Sequence, residues 1–216
     1  MDRQSLELMK GQHVRLREML ESDAPHVVEW RNQPEIRSWL IQWEPLTIES
    51  HLRWSEGRIR AGDILLMFES LDGKPIGSTS LQDFDRPRTS AEWGRLCSAR
   101  IGGHPNGILE GCYLLHRLCF EIMHMFRLHG AVATENERAW RLYQFLGWRE
   151  EGIRRKHWAK SDGSYFDARV IGIFPDEFAL ARPQVEAKLY AAGPVPSVSE
   201  EHAARVRQHL ASRPPS

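Results

Sequence analysis

The chain has no surplus of charge of either sign: 29 lysines and arginines balance 29 aspartates and glutamates, for a formal net charge of +0. A protein that holds nucleic acid through its phosphates needs a basic excess to displace counterions, so no nucleic-acid partner is expected. No apolar run approaches the roughly 20 residues that span a bilayer, so no membrane partner is expected either. The opening MDRQSLELMKGQ lacks the apolar core and cleavage site of a secretory leader, which makes the expected location cytoplasmic. Cysteine is scarce. Cys97, Cys112 and Cys119 are odd in number and lack metal-ligand spacing, so reduced thiols are expected, with neither a disulfide framework nor a metal site. Internal repeats are absent. Tryptophan is not scarce: of eight, Trp30, Trp39, Trp43, Trp54 and Trp93 lie in the first half. Core packing is the ordinary use of such residues; lining a substrate cleft is the alternative.

At 216 residues the chain is long enough for one well-packed domain plus an extension. HVRLREM (13–19) alternates as a first strand does. ESDAPHVVEWRNQP reads as a helix with Asp23 as its N-cap, ending near Asn32 ahead of Pro34. A second helix is expected over Thr47 to Arg60. ILLMFES (64–70) and PIGSTSLQDF (75–84) flank Asp72-Gly73, a hairpin signal, and residues 90–98 form a further strand. The Gly-rich IGGHPNG (101–107) precedes a long apolar-striped helix from about Ile108 to Phe126, and LHGAVAT (128–134) reads as a buried strand. A helix over Asn136–Leu146 and two strands at 148–158 and 165–174, around Asp162-Gly163, complete a mixed α/β or α+β domain. Beyond it, 183–192 is expected to be helical, GPVPSVS (193–199) to be a linker and EEHAARVRQHLASR a polar, weakly amphipathic helix. The expected division is thus a domain over 1–178 and an extension over 179–216. A surface extension and a homodimer arm are both open for the latter.

The stretch richest in information is ENERAWRLYQFLGW, 135–148. Asn136 is a good N-cap, since its side-chain oxygen can accept a free N–H of the first turn. Ala139, Leu142, Tyr143 and Leu146 then share one stripe, and Gly147 stands where a helix needs a left-handed C-terminal residue. This stretch resembles the last motif of the GNAT acetyltransferases: Asn, variable residues, a small residue, Leu-Tyr and Gly-Phe, with Trp148 in place of Phe. The element order resembles that family over about 13–174. The resemblance implies a mostly antiparallel central sheet, splayed at its middle and flanked by about four helices. It also implies acetyl-CoA as acyl donor and an amine as acceptor.

On that resemblance, Tyr143 would protonate the leaving CoA thiolate as general acid, and Asn136 would hydrogen-bond the pantetheine arm. The strand at 90–98 would carry a bulge that parts it from the strand at 128–134. Leu96, Cys97 and Ser98 would then supply backbone groups to pantetheine, with one N–H at the thioester oxygen. Glu92 is the candidate base, with Ser78, Ser80 and His51 as rival relays. Cys97 as a covalent nucleophile finds little support, because no His–Asp or His–Asn set is identifiable beside it. For the pyrophosphate, a Gly-rich loop and helix N-terminus attract phosphate through unpaired N–H groups and the helix dipole. An ungapped match puts the family's loop pattern on Gly103, His104, Pro105, Asn106, Gly107 and Ile108. This departs from the pattern: the first position is Gly rather than Arg or Gln, and Gly107 is one place off.

The acceptor is expected to be a small-molecule amine. Trp30-Arg31-Asn32, Arg37, Trp39, His51 and Trp54 combine cations with aromatic faces, a set suited to phosphates and a sugar or base, or else to an amphipathic surface helix pair. The segment resembles the amino-sugar N-acetyltransferases of the pseudaminic-acid pathway, which implies a nucleotide-linked amino sugar. The closing EEGIRRKHW…DGSYFDARVIGIFPDEF resembles the ribosomal-protein N-terminal acetyltransferases. A polycationic aminoglycoside also stays open, given Glu29, Glu35, Glu44 and Glu49. A reading of a different class, a non-catalytic binding or assembly module, draws on the departed loop.

Overall fold

The computed structural model describes residues 6–39, 44–85, 89–99, 104–160 and 162–213. Eight strands form one sheet: β1 (Glu7–Lys10), β2 (Val14–Glu18), β3 (Ile64–Ser70), β4 (Pro75–Gln82), β5 (Ser90–Ser98), β6 (Arg127–Ala133), β7 (Arg149–Ala159) and β8 (Tyr165–Ile173). Their order is β1-β2-β3-β4-β5-β6-β8-β7. Every neighbouring pair is antiparallel except β5 and β6, which are parallel. The mixed, mostly antiparallel class expected from the sequence is the class observed. The Asp72-Gly73 hairpin joins β3 to β4, with Gly73 at φ 88, where a side chain would be strained. β3 is buried at every position because helices cover both of its faces.

The described residues hold seven helices where about four were expected: α1 (Ala24–Asn32), α2 (Pro34–Arg37), α3 (Ile48–Arg60), α4 (Gly107–Arg117), α5 (Glu137–Phe145), α6 (Pro175–Leu189) and α7 (Glu200–Ala211). None is long and apolar enough to cross a membrane. Several boundaries differ from expectation for identifiable reasons. β1 arises because residues 7–10 fold back on β2 through a turn at Gly11. The buried Glu110 carboxylate accepts the N–H groups of Gln12, His13 and Val14 there at 2.7, 2.8 and 2.9 Å. A Cβ on Gly11 would lie 2.4 Å from that carboxylate. Asp23 does stand before α1, but its carboxylate is taken by the Arg17 guanidinium (2.7 and 2.8 Å) and the Leu20 N–H, so it does not cap α1. The helix expected to run to Phe126 stays α-helical only to Arg117. It then widens into a π-helical stretch, Leu118–Ile122, closed by the Met123 N–H on the Leu118 carbonyl at 2.8 Å. The wider turn keeps Leu118, Cys119 and Ile122 in the core and leaves Phe126 64% exposed. α6 begins at Pro175, a favoured first helical residue, well ahead of the expected start at 183. α7, read from its polarity as weakly amphipathic, buries Ala203, Val206 and Leu210 in the main hydrophobic cluster.

A ring cluster fixes α4 and α5 against the sheet. His116, fully buried on α4, has Nδ1 2.7 Å from the Cys112 carbonyl, and its Nε2 lies 2.8 Å from the Trp148 indole nitrogen. Indole can only donate, so Nε2 accepts and the proton sits on Nδ1. Trp93, from β5, packs edge-on to both His116 and Tyr143, at 5.1 and 5.0 Å between ring centroids. Burial pushes His116 down to about 4. A folded-state value below the unfolded one means that folding excludes a proton, so the stability is complete above pH 6.5 and is lost as pH falls toward 4. His116 alone should remove about 2 kcal/mol by about pH 5. We predict that His116→Gln, which can still bridge Cys112 and Trp148, shows a smaller fall in urea-unfolding free energy between about pH 7.5 and 5 than wild type. An equal fall would mean the imidazole is not held neutral.

Candidate active site

β5 and β6 pair over only three positions: Ser90 with Arg127, Ala91 with Leu128 and Glu92 with His129. Beyond them β5 stays with β4, and β6 stays with β8 as far as Ala133. The cause is local. Ser78 faces Cys97 and Ser80 faces Gly94, so β5 spends two residues, Arg95 and Leu96, where β4 spends only Thr79. Arg95 takes φ 57, the left-handed region that non-glycine residues rarely enter. A bulge of this kind bends and twists its strand, here at the point where β5 and β6 part. The facing edges of β5 beyond Glu92 and β6 beyond His129 thus leave backbone donors and acceptors without a strand partner among the described residues.

Tyr143 approaches from the α5 side. The Asn136 side chain accepts the Ala139 N–H at 3.1 Å and starts the helix, and Gly147, at φ 101, ends it. Tyr143 is held edge-on between Trp93 (5.0 Å) and Trp148 (5.4 Å). Among the described residues none hydrogen-bonds its hydroxyl. Burial first, then Cys112 and Glu92, push the phenol above its ordinary range, so at neutral pH it keeps its proton. Glu92 neighbours Trp93 in an extended strand and so points to the opposite face. There Gln82 Nε2 donates to Glu92 Oε1 at 3.0 Å. Tyr143 and Glu92 thus stand on opposite faces of the sheet beside β5.

The carboxylate face is covered by α1 and α3. His51 on α3 is 2% exposed, its Nε2 has no hydrogen-bond partner, and burial followed by the Arg31 charge lowers it to about 4. It is neutral at pH 7 and so is a polar group rather than a second cation. Arg31, at the last turn of α1, has a buried Nε without a partner, and desolvation lowers its pKa. Trp54 stacks on His51 at 5.5 Å, and the Arg95 guanidinium lies 5.0 Å from the Trp54 ring. The structure therefore brings Arg31 and His51 together. Arg37 sits half-buried on α2, and Trp39 lies elsewhere, 5.8 Å from Phe166 of β8. Trp30 is core, packed with Val27, Met67 and Cys97. Burial raises the Cys97 thiol to about 11, against the opposing pull of Arg31, so no thiolate forms at neutral pH. Cys97, Cys112 and Cys119 are all free and buried. Ser78 and Ser80 are buried on β4, and Ser80 Oγ accepts from Arg95 at 3.3 Å. Leu96 and Ser98 are half-buried on the bulged strand.

In the phosphate-loop assignment, Gly103 and, upstream, Trp43 lie outside the described residues. Asn106 precedes α4 without capping it, and its Nδ2 reaches the Lys188 carbonyl at 3.4 Å. The Gly107 N–H is already given to the His104 carbonyl at 2.8 Å. A Cβ on Gly107 would stand 2.9 Å from Ile76 Cδ1 and 3.3 Å from Val14 Cγ1, so this glycine permits packing of α4 on the sheet. Ile108 packs against the core from its half-buried position. The residues that sequence reasoning passed over are Arg95, Asp63 and Gln82. No local pattern marks them, because their roles arise from pairing between strands.

Residues 13–149 match the family model described as an acetyltransferase (GNAT) domain. The chain belongs to the GNAT acetyltransferases. A putative acetyltransferase from T. thermophilus is similar at 26% identity and TM-score 0.71, over 86% of this chain and 98% of that one. The Vibrio cholerae spermidine N-acetyltransferase, in complex with CoA and spermine, is 20% identical with TM-score 0.66 over 77% and 98%. The ribosomal-protein-S5-alanine acetyltransferase of Vibrio fischeri is 20% identical with TM-score 0.63 over 82% and 99%. The last two likenesses concern the fold. Among curated proteins none matches the chain significantly.

Because Gly107 faces apolar side chains, Gly107→Val should cost about 1–3 kcal/mol by overpacking. Thermal unfolding checks this. An unchanged melting temperature with weakened CoA binding would mean that the glycine faces the ligand instead.

Proposed function

We propose that this GNAT enzyme transfers an acetyl group from acetyl-CoA to the amine of a small molecule that also carries an anionic group, a nucleotide-linked amino sugar being the best fit. The observation that carries the acceptor class is the state of Arg31. It is a half-buried cation whose Nε is buried without a partner, no carboxylate pairs with it among the described residues, and it stands beside the unpartnered, neutral His51. A desolvated guanidinium without a counter-charge is costly, and an incoming phosphate or carboxylate supplies the missing partner. Glu29, Glu35, Glu44 and Glu49, which would favour a polycation, are all exposed. A polyamine such as the spermine bound by the V. cholerae enzyme would meet Arg31 as a like charge.

In this reading the donor lies in the gap between β5 and β6. The neutral amine attacks the thioester carbon, the C–N bond forms and the C–S bond breaks. Glu92, directly or through water, takes the amine proton. The β5 backbone around Leu96, Cys97 and Ser98 holds the pantetheine and the developing oxyanion, Asn136 supports the arm, and Tyr143 gives its proton to the thiolate.

Three results test this. Tyr143→Phe keeps the ring contacts, so it should lower kcat on the order of 10²-fold while leaving acetyl-CoA affinity nearly unchanged; equal loss of both would assign Tyr143 to packing. Thiol release should be fastest with nucleotide-linked amino sugars among a panel that includes free amino sugars, spermidine, aminoglycosides and peptides. Arg31→Met should raise the acceptor KM by about tenfold or more through loss of a charge-assisted contact. Preferential turnover of spermidine or an aminoglycoside would contradict the assignment.

A further inference from the structure

The bulge in β5 places Arg95 in a backbone conformation that costs a non-glycine residue energy, so something must hold it. Its side chain shows what does. Arg95 Nη1 donates to Asp63 Oδ2 at 2.8 Å and to Ser80 Oγ at 3.3 Å, and the guanidinium lies over Trp54. Asp63 sits between α3 and β3 and is 2% exposed. Arg58 of α3 also grips it, Nε to Oδ2 at 2.6 Å and Nη2 to Oδ1 at 2.9 Å. On the other face, Thr79 Oγ1 donates to the Gly94 carbonyl at 2.9 Å and accepts the Trp93 indole N–H at 2.7 Å. The bulged residue is therefore anchored through its side chain to a buried carboxylate in the connection between a different helix and strand. The preceding carbonyl is pinned from the opposite side.

We infer that Asp63 is a positioning residue for the acyl donor. Through Arg95 it holds the bulge that keeps β5 parted from β6, and so fixes the backbone groups on the slot side of β5. This rests on the reading that the slot receives acetyl-CoA. Asp63 touches no reacting atom and acts only by fixing the shape of the strand that does. Charge-assisted contacts to a buried carboxylate are among the stronger and more directional in a protein, which suits them to resisting a backbone that would otherwise relax. A displacement of about 1 Å at a positioning contact can cost on the order of 10²-fold in rate.

The test is calorimetric titration of acetyl-CoA into wild type, Asp63→Ala, Arg95→Ala, the double variant, Arg95→Lys and Arg58→Ala, with folding checked by circular dichroism. Asp63→Ala and Arg95→Ala should each weaken binding about tenfold or more, and the double variant should be no worse than either, because both remove one contact. Arg95→Lys, which still reaches Asp63 with a charge, should restore most of the affinity. Arg58→Ala removes the other grip on Asp63 but leaves the bulge anchor, so it should lower the melting temperature and leave affinity unchanged. The last two comparisons hold even where Asp63→Ala fails to fold. Additive losses, no rescue by Lys, or loss in Arg95→Ala without loss in a folded Asp63→Ala would overturn the inference; the last would mean that Arg95 meets the ligand directly. Failure of wild type itself to bind acetyl-CoA would overturn the donor reading, a separate result.

Discussion

Opposite Thr79 the fifth strand carries two residues, and that mismatch decides where the sheet can close. Were β5 regular, its parallel pairing with β6 could continue past Glu92 and His129, as hydrogen-bond satisfaction favours. Instead the two strands separate while each keeps its outer neighbour, β4 on one side and β8 on the other. Edges of this kind are ordinarily a liability, because unpaired backbone groups seek another strand. On the proposed reading the extended pantetheine arm of the donor occupies these edges, and the liability becomes the binding site.

The gap also separates two electrostatic environments. On the α5 side, Tyr143 lies among Trp93, Trp148 and His116, an apolar setting that keeps both phenol and imidazole uncharged. On the α1–α3 side, Glu92, Arg31, His51 and Arg95 gather, together with Asp63. An acyl transfer to an amine needs this asymmetry, since a proton must leave the nucleophile at one end and reach the leaving group at the other. Neither side needs a mobile charge to approach from solvent. Preorganised groups around a dry slot do more for a developing charge than the same groups in water.

Features set within a few residues were legible in the sequence. Asn136 and Gly147 bound a helix by cap chemistry, and Asp72-Gly73 turns a hairpin; both hold in the structure. The limits of β5 at Ser90–Ser98 agree with the strand read there. What could not be read depends on partners distant in the chain. Asp23 looks like a cap, but a buried Arg17 claims it. The stripe toward Phe126 looks continuous, but a π-helical stretch re-phases it. Gly107 looks like a phosphate-loop glycine, but its open side faces Ile76 and Val14. Trp30, for which the sequence leaves core packing and cleft lining both open, is core, and His51, read as a possible relay, is held neutral by burial. Arg95 and Asp63 gave no signal, because the bulge that joins them exists only as a difference of register between two strands.

The account turns on an open gap between β5 and β6 that the acyl donor fills. Residue-resolved amide hydrogen exchange measures this directly. In the free protein, the slot-facing amides of residues 93–98 and 130–133 should exchange far faster than those pairing β5 with β4 or β6 with β8, and saturating acetyl-CoA should protect them selectively. Strong protection of those amides before ligand is added, or no change at saturation, would contradict it.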